Sequence, residues 1–195
     1  MNSFKELGLS TPLVDNLTTL EFIKPTPIQA KAIPQLLANP DADFIGLAQT
    51  GTGKTAAFGL PLLESIDLDK DYIQVLILAP TRELSQQIAA QLDEFKDYKK
   101  GLNTCVVFGG AAISNQIRAL KRRVQVLVAT PGRLLDLVKR KAVDLGQVRL
   151  LVLDEADEML NMGFKEDIDS ILQRTHTESA LWLFSATMPP DIQKI

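Results

Sequence analysis

The sequence predicts an α/β domain in which a mostly parallel central sheet carries helices on both faces. Short runs of aliphatic and β-branched residues recur along the chain, and they are continuously apolar rather than alternating. Continuous apolar runs indicate strands that are covered on both faces. Amphipathic helical patterns separate these runs, and this alternation is typical of a doubly wound, three-layer sandwich.

Six apolar runs are predicted as strands, and helices are predicted between them. The predicted strands are 43–48, 73–79, 104–108, 124–129, 148–153 and 181–186. The predicted helices are 56–66, 82–95, 113–122, 132–138 and 165–172. A helical prefix at 11–20, capped by Ser10 or Thr11, precedes them, and a further helix is expected to start after Met188.

Composition indicates one compact domain, since the 195 residues are 46% hydrophobic and 23% charged. No apolar run reaches the ~18 residues of a membrane span, and no secretory signal opens the chain, so a cytoplasmic protein is expected. Cys105 is expected to be a buried thiol and His176 a loop residue. The net charge of −3 argues by itself against a nucleic-acid ligand, and the basic runs 121–123 and 139–141 are short.

Ligands of a parallel sheet bind beyond the carboxyl ends of its strands. The polar segments that follow the predicted strands are therefore expected to meet at one rim. These segments are 48–55, 80–84, 109–110, 130–133, 154–157 and 185–187.

The segment after the first predicted strand has the pattern of a phosphate-binding loop. Gly51 and Gly53 allow a tight turn that exposes backbone N–H groups, and Lys54 adds a positive charge for the terminal phosphates. Thr55 offers a hydroxyl to a magnesium ion. The segment reads Ala48-Gln49-Thr50-Gly51-Thr52-Gly53-Lys54-Thr55, so it has Ala48 at the first position, where Gly is usual.

Carboxylates follow the buried run 150–153. Asp154 can hold the water shell of a metal ion, and Glu155 can polarise an attacking water. Acidic residues at this position are also good helix caps, so the segment alone does not decide between the two roles. Together with the phosphate-binding loop, it predicts hydrolysis of a nucleoside triphosphate, with Lys54, Asp154 and Glu155 as the catalytic residues.

The ordered motifs identify a family. Essentially the whole chain resembles the first RecA-like domain of a DEAD-box ATP-dependent RNA helicase, which implies a RecA-like P-loop fold over 1–195 with a helical prefix and Q motif at 1–31. One departure is Glu21, where relatives commonly have Gly. The matching segments are 22–29, 48–55, 80–84, 109–110, 130–133, 154–157 and 185–187.

The resemblance implies ATP or ADP with Mg2+ as cofactors. The Gln29 amide has the donor and acceptor that adenine requires, and Phe22 can stack on the base. Thr26 and the loop Ala48–Thr55 complete the nucleotide site that the resemblance implies, with Thr55 and Asp154 on the metal. A second RecA-like domain of the same longer protein, absent from this chain, is expected to supply the arginines that stabilise the transition state.

The resemblance also implies contacts with the sugar-phosphate backbone of single-stranded RNA, which carry no sequence information. Arg82 and Arg133 follow strands and are expected to point outward, although Arg82 could instead pair with Glu83 and the glycines could simply form turns. The residues implied to bind RNA are Pro80, Thr81, Arg82, Gly109, Gly110, Thr130, Pro131, Gly132 and Arg133.

Asp157, Ser185 and Thr187 are implied to couple hydrolysis to RNA unwinding through hydroxyl–carboxylate bonds, although the two hydroxyls could instead cap a helix. The domain alone is expected to be a monomer with weak or no ATPase activity and no membrane partner. Two alternatives are a different P-loop enzyme, such as a GTPase or a transporter ATPase, and a nucleotide-gated scaffold that does not turn over. Neither a guanine-reading Asn-Lys-x-Asp string nor a Leu-Ser-Gly-Gly-Gln signature occurs in the sequence.

Overall fold

A computed structural model describes residues 3–190 of the chain. Its centre is a six-stranded sheet with the order β1-β6-β5-β2-β4-β3. All strand pairs of this sheet are parallel, which confirms the predicted sheet type. The strands are β1 Phe44–Leu47, β2 Val75–Leu78, β3 Thr104–Val107, β4 Val126–Ala129, β5 Leu150–Asp154 and β6 Ala180–Ser185.

Eight α-helices surround the sheet in the described part of the chain. The helix after the phosphate-binding loop begins at Lys54, earlier than predicted, because the loop's last glycine caps it. The helix expected after Met188 would involve 191–195, which lie outside the described residues. The helices are α1 Thr11–Thr19, α2 Pro27–Ala38, α3 Lys54–Ser65, α4 Arg82–Phe95, α5 Ile113–Leu120, α6 Pro131–Lys139, α7 Ala156–Asn161 and α8 Lys165–Leu172.

The core lies in two layers, one on each face of the sheet. Helices α1–α4 pack on one face around residues such as Trp182 and Phe58, and α5–α8 pack on the other around residues such as Leu134 and Ile168. Three of the four inner strands, β2, β4 and β5, are buried at every position. Covering on both faces explains why these strands are continuously apolar in the sequence.

Two side chains, Asn16 on α1 and Lys99, form hydrogen bonds with the ends of helices that pack on the same face of the sheet. The Asn16 amide on α1 donates to the carbonyls of Glu94 and Phe95 at the end of α4, at 2.9 Å each. The Lys99 ammonium donates to carbonyls at the end of α3, including Leu63 at 2.7 Å and Ile66 at 2.8 Å. Because the last carbonyls of a helix lack partners within it, these side chains stabilise both helix ends.

Cys105 and His176 lie in the environments that the sequence predicts for them. Cys105 is buried, and burial raises the pKa of its thiol to about 11, as expected of an unreactive core cysteine. His176 lies in a turn, where its Nδ1 accepts a hydrogen bond from the Glu178 N–H. Between residues 3 and 190, no helix combines the length and the apolar character needed to cross a bilayer.

Candidate functional site

The strand order divides the predicted rim into two halves. The loop 48–55 and the segments 154–157 and 185–187 follow the neighbouring strands β1, β5 and β6, and we call this the P-loop half. The segments 80–84, 109–110 and 130–133 follow β2, β3 and β4, and we call this the glycine-loop half. The register aligns the strand ends, since Leu47 pairs with Ser185 and Asp154 with Phe184.

The loop 48–55 forms a tight turn anchored to the sheet. Gly51 and Gly53 have φ of 79° and 92°, a region that side chains with a Cβ rarely adopt. The Ala48 N–H donates to the Ser185 carbonyl at 2.9 Å, and the Thr52 hydroxyl donates to the Gln49 carbonyl at 2.6 Å. Because α3 begins at Lys54, its first N–H groups lack partners within the helix at the end of this loop, which favours an anion there.

Lys54 and Asp154 form a buried ion pair below this loop. Their side chains are 6% and 3% exposed, and the ammonium lies 3.7 Å from Asp154 Oδ1. Burial raises the pKa of Asp154 to about 6, against the attraction of Lys54, which lowers it. At 3.7 Å the pair is not a hydrogen bond, and the Lys54 ammonium has no hydrogen-bond partner among residues 3–190. Such a buried donor is costly unless a ligand satisfies it.

Glu155 is held in an unusual conformation at the start of α7. Its φ of 54° lies in the left-handed region, which costs about 1 kcal/mol or more for a residue with a Cβ. Its N–H donates to Asp154 Oδ1 at 3.0 Å, and its carboxylate accepts a 3.0 Å hydrogen bond from the Thr50 hydroxyl. The loop 48–55 and the predicted catalytic carboxylate are therefore in direct contact.

A cavity of about 360 Å³ lies between the loop, the carboxylates and α4. Two glutamines that were not predicted as site residues, Gln87 and Gln91, line this cavity. Their spacing places them on one face of α4, but nothing in the sequence indicates which neighbour that face meets. The lining residues are Thr50, Gly51, Gly53, Lys54, Thr55, Leu84, Gln87, Gln91, Asp154 and Glu155.

Gln29 connects α2 to the phosphate-binding loop. The side chain is buried, and its amide accepts a hydrogen bond from the Thr26 N–H at 2.9 Å and donates one to the Gly53 carbonyl at 3.1 Å. One N–H and one lone pair of the amide remain, so its role toward adenine stays a prediction. Phe22 is half-buried and packs edge-on against Phe95, with ring centroids 5.3 Å apart.

The Asp157 carboxylate bonds with the Thr187 hydroxyl, whereas the Ser185 hydroxyl bonds with the Asp157 backbone and not with a carboxylate as expected. Its Oδ2 accepts from the Thr187 N–H at 2.9 Å and from the Thr187 hydroxyl at 2.7 Å, and its N–H donates to Ser185 Oγ at 3.2 Å. Burial by itself would raise the pKa of Asp157, but these hydrogen bonds outweigh it and hold the pKa below the usual value. The carboxylate is therefore ionised at neutral pH.

The segment Gly109-Gly110 is open to solvent on its outer side. Gly109 and Gly110 are exposed, and a Cβ added to either would meet no atom within 4 Å. Arg82 is not in an ion pair within the described residues, contrary to the alternative that it binds Glu83. Its guanidinium lies 4.9 Å from the centre of the Phe108 ring instead.

Arg133 differs from the expectation that its side chain points outward. Its guanidinium donates twice to the Ala111 carbonyl, at 3.1 Å each, and once to Gln116 Oε1 at 2.9 Å. Among the other residues implied to bind RNA, Gly132 is exposed and Thr81 caps α4 by accepting from the Leu84 N–H. Three are buried, so their side chains are not on the surface: Pro80, Thr130 and Pro131.

Comparisons with known proteins agree on one family. A family model described as DEAD/DEAH box helicase matches residues 26–195. The ATP-dependent RNA helicase DeaD of Escherichia coli strain K12 is 48% identical over 193 residues, which are 99% of this chain and 30% of that protein. The ATP-dependent RNA helicase CshA of Listeria monocytogenes is 49% identical over 195 residues, which are 100% of this chain and 37% of that protein. The chain thus spans about a third of the length of these relatives.

Solved structures share the fold closely. A DEAD box protein from Methanococcus jannaschii superposes with a TM-score of 0.92 at 42% identity, covering 98% of this chain and 52% of that one. The RNA helicase Prp28 from Chaetomium thermophilum, solved with ADP, superposes with a TM-score of 0.89 at 40% identity, covering 100% of this chain and 47% of that one.

Proposed function

Because the chain belongs to the DEAD/DEAH box helicase family, we propose that it is the RecA-like ATP-binding domain of an ATP-dependent RNA helicase. In this proposal residues 1–195 bind ATP or ADP with magnesium and hold the backbone of single-stranded RNA. A second RecA-like domain in the longer protein completes the ATPase site and makes unwinding possible.

One observation carries the nucleotide part of the proposal. The Lys54 ammonium is buried beside the cavity of about 360 Å³ and has no hydrogen-bond partner within residues 3–190. A terminal phosphate oxygen would supply that partner, and the N-terminus of α3 adds favourable backbone N–H groups. The unsatisfied cation and the anion-binding helix end therefore favour the same ligand.

The residues present also fit a magnesium ion. Thr55 and Asp154 line the same cavity and offer the oxygen ligands that magnesium prefers. Residues 3–190 contain no cluster of three or more acidic, histidine or cysteine side chains suited to a metal, so magnesium would depend on the nucleotide's phosphates as well. When bound, the ion would neutralise charge that develops on the phosphates.

The chain's own residues divide the remaining work. Lys54 binds the phosphates, and Glu155 accepts the proton of the attacking water while Thr50 orients its carboxylate. The bond between Asp157 and Thr187 links the carboxylate segment 154–157 to the segment 185–187 after β6. Loss of the terminal phosphate can thereby change the position of the segment after β6. An arginine contributed by the second domain would add about 10³ to 10⁵ in rate, so the chain alone should turn over slowly or not at all.

The test is ADP titration by calorimetry with magnesium, followed by steady-state ATP turnover with and without single-stranded RNA. We expect ADP to bind and RNA not to stimulate turnover by this chain. Failure to bind ADP would contradict the proposed nucleotide site. RNA-stimulated turnover would contradict the requirement for a second domain.

A further inference from the structure

We propose that Arg133 and Gln116 are positioning residues, which hold the loop 108–111 in the shape that binds RNA, and that Arg133 is not itself a phosphate contact. The inference rests on the proposed RNA-binding function of the glycine-loop half. It assigns a role to Gln116, a residue of α5 that lies outside every motif of the sequence.

The Arg133 guanidinium is directed into the protein. Three hydrogen bonds from its two terminal nitrogens reach the Ala111 carbonyl and Gln116 Oε1, and all are 3.1 Å or shorter. The planar fork that would bind a phosphate in a bidentate manner is therefore used on protein acceptors. These acceptors are main-chain and amide oxygens of the protein, and they fix the position of the guanidinium.

Gln116 uses both ends of its amide. The side chain is 8% exposed, its Oε1 accepts from Arg133 at 2.9 Å, and its Nε2 donates to the Phe108 carbonyl at 3.0 Å. The carbonyls of Phe108 and Ala111 are thus fixed on either side of the two glycines. Arg82 lies over the Phe108 ring and restrains the same end of the loop.

The glycines explain why such a restraint is needed. Gly109 and Gly110 contact nothing on their outer side, and glycine has the largest backbone freedom to lose when a ligand orders it. Holding the flanking carbonyls in advance reduces the entropy lost when RNA binds. Arg133 and Gln116 therefore increase affinity through the backbone of the loop.

Salt dependence of RNA binding distinguishes positioning from direct contact. Affinity for a short single-stranded RNA is measured by fluorescence anisotropy across a salt series for the wild type, Arg133→Ala, Arg133→Lys, Gln116→Ala and the Arg133→Ala/Gln116→Ala double variant. Lys139→Ala, which removes an exposed charge from the same helix, is the matched control. ADP affinity confirms that each variant is folded.

We expect both alanine variants and Arg133→Lys to lose about tenfold in affinity, the effect of losing a hydrogen bond to a charged group. The double variant should lose no more than either single variant, because the two residues act on one loop. The slope of log K against log salt should stay that of the wild type. A slope whose magnitude falls by about 0.7 in Arg133→Ala would overturn the inference, because it would report a lost phosphate contact. Wild-type affinity in Arg133→Lys or Gln116→Ala would overturn it as well.

A second measurement does not depend on RNA. Backbone ¹⁵N relaxation should give order parameters near 0.85 for residues 109–112 in the wild type, falling toward 0.6 in Gln116→Ala and Arg133→Ala but not in Lys139→Ala. Unchanged order parameters would overturn the positioning role. If the wild type binds no RNA but Gln116→Ala and Arg133→Ala still lose order in this loop, the proposed function would be contradicted and the positioning role would be supported.

Discussion

The two halves of the rim each place a basic residue at the start of a helix, but they use it in opposite ways. In the P-loop half, Lys54 is buried 3.7 Å from Asp154 and has no hydrogen-bond partner within the described residues. In the glycine-loop half, Arg133 makes three hydrogen bonds to Ala111 and Gln116. A ligand site is therefore indicated by a cation that the protein leaves unsatisfied, rather than by the presence of a cation near glycines.

The glycines of the two halves also differ in the space around them. A Cβ on Gly53 would lie 2.4 Å from the Gln29 amide nitrogen, so this glycine is required by the protein's own packing. A Cβ on Gly109 or Gly110 would meet nothing, so these positions leave room for something outside the protein. The P-loop half is built around a buried charge, and the glycine-loop half around an open backbone.

The largest effect of a substitution is expected at Lys54, the buried cation of the P-loop half. Lys54→Ala should weaken ADP binding about 100-fold, because it removes a charge-assisted contact to phosphate in a buried site. Calorimetric titration with ADP and magnesium measures the loss. Arg133→Ala should leave ADP affinity unchanged, and equal losses in the two variants would mean that the halves do not differ.

The next effect concerns Gly53. Gly53→Ala should lower the free energy of unfolding by about 2 to 3 kcal/mol, because it adds a steric conflict with Gln29 to the cost of a left-handed backbone. Gly51→Ala is the matched control, since Gly51 has φ of 79° but no neighbour within 4 Å of its Cβ position. It should lose only about 1 kcal/mol in the same denaturant titration. Equal losses would show that the contact with Gln29 has no energetic weight.

Two smaller effects are expected at Gly109 and Gly110 in the glycine-loop half. Gly110→Ala should lower the free energy of unfolding by about 1 kcal/mol, because Gly110 has φ of 80°. Gly109→Ala should leave the free energy of unfolding almost unchanged, because the φ of Gly109 lies outside the left-handed region. Gly109→Ala should nevertheless weaken RNA binding in anisotropy measurements, because its methyl group occupies the open side of the loop. Unchanged RNA affinity in Gly109→Ala would argue that RNA does not approach there.

The smallest effect is expected at the link between the carboxylates and β6. Thr187→Val should lower the free energy of unfolding by about 1 kcal/mol by removing the 2.7 Å hydroxyl bond to Asp157. It should also raise the pKa of Asp157, because that bond stabilises the ionised form. NMR titration of the carboxyl carbon measures the pKa, and Thr187→Ser, which keeps the hydroxyl, should restore it. A pKa that does not move would separate Thr187 from the charge of Asp157.

Local patterns in the sequence predicted much of this molecule. The parallel sheet followed from continuous apolar runs, and the family from contiguous motifs such as 48–55 and 154–157. The bond between Asp157 and Thr187 could also be predicted, because both residues follow strands of the sheet and were expected to meet at one rim. Wherever chemistry depends on adjacent residues or on the end of a strand, the sequence contains the signal.

Other features depended on which distant residues meet. Gln29 bonds to Gly53, Gln91 lines the cavity beside the loop 48–55, and Arg133 turns inward to Ala111. A side chain's partner is set by the packing of whole helices and by which buried polar groups still lack a hydrogen bond, and neither quantity can be read from a local pattern. The parallel sheet and the residue types at its rim could therefore be predicted from the sequence. That Lys54 has no hydrogen-bond partner within residues 3–190, while Arg133 has two, follows from how the helices pack.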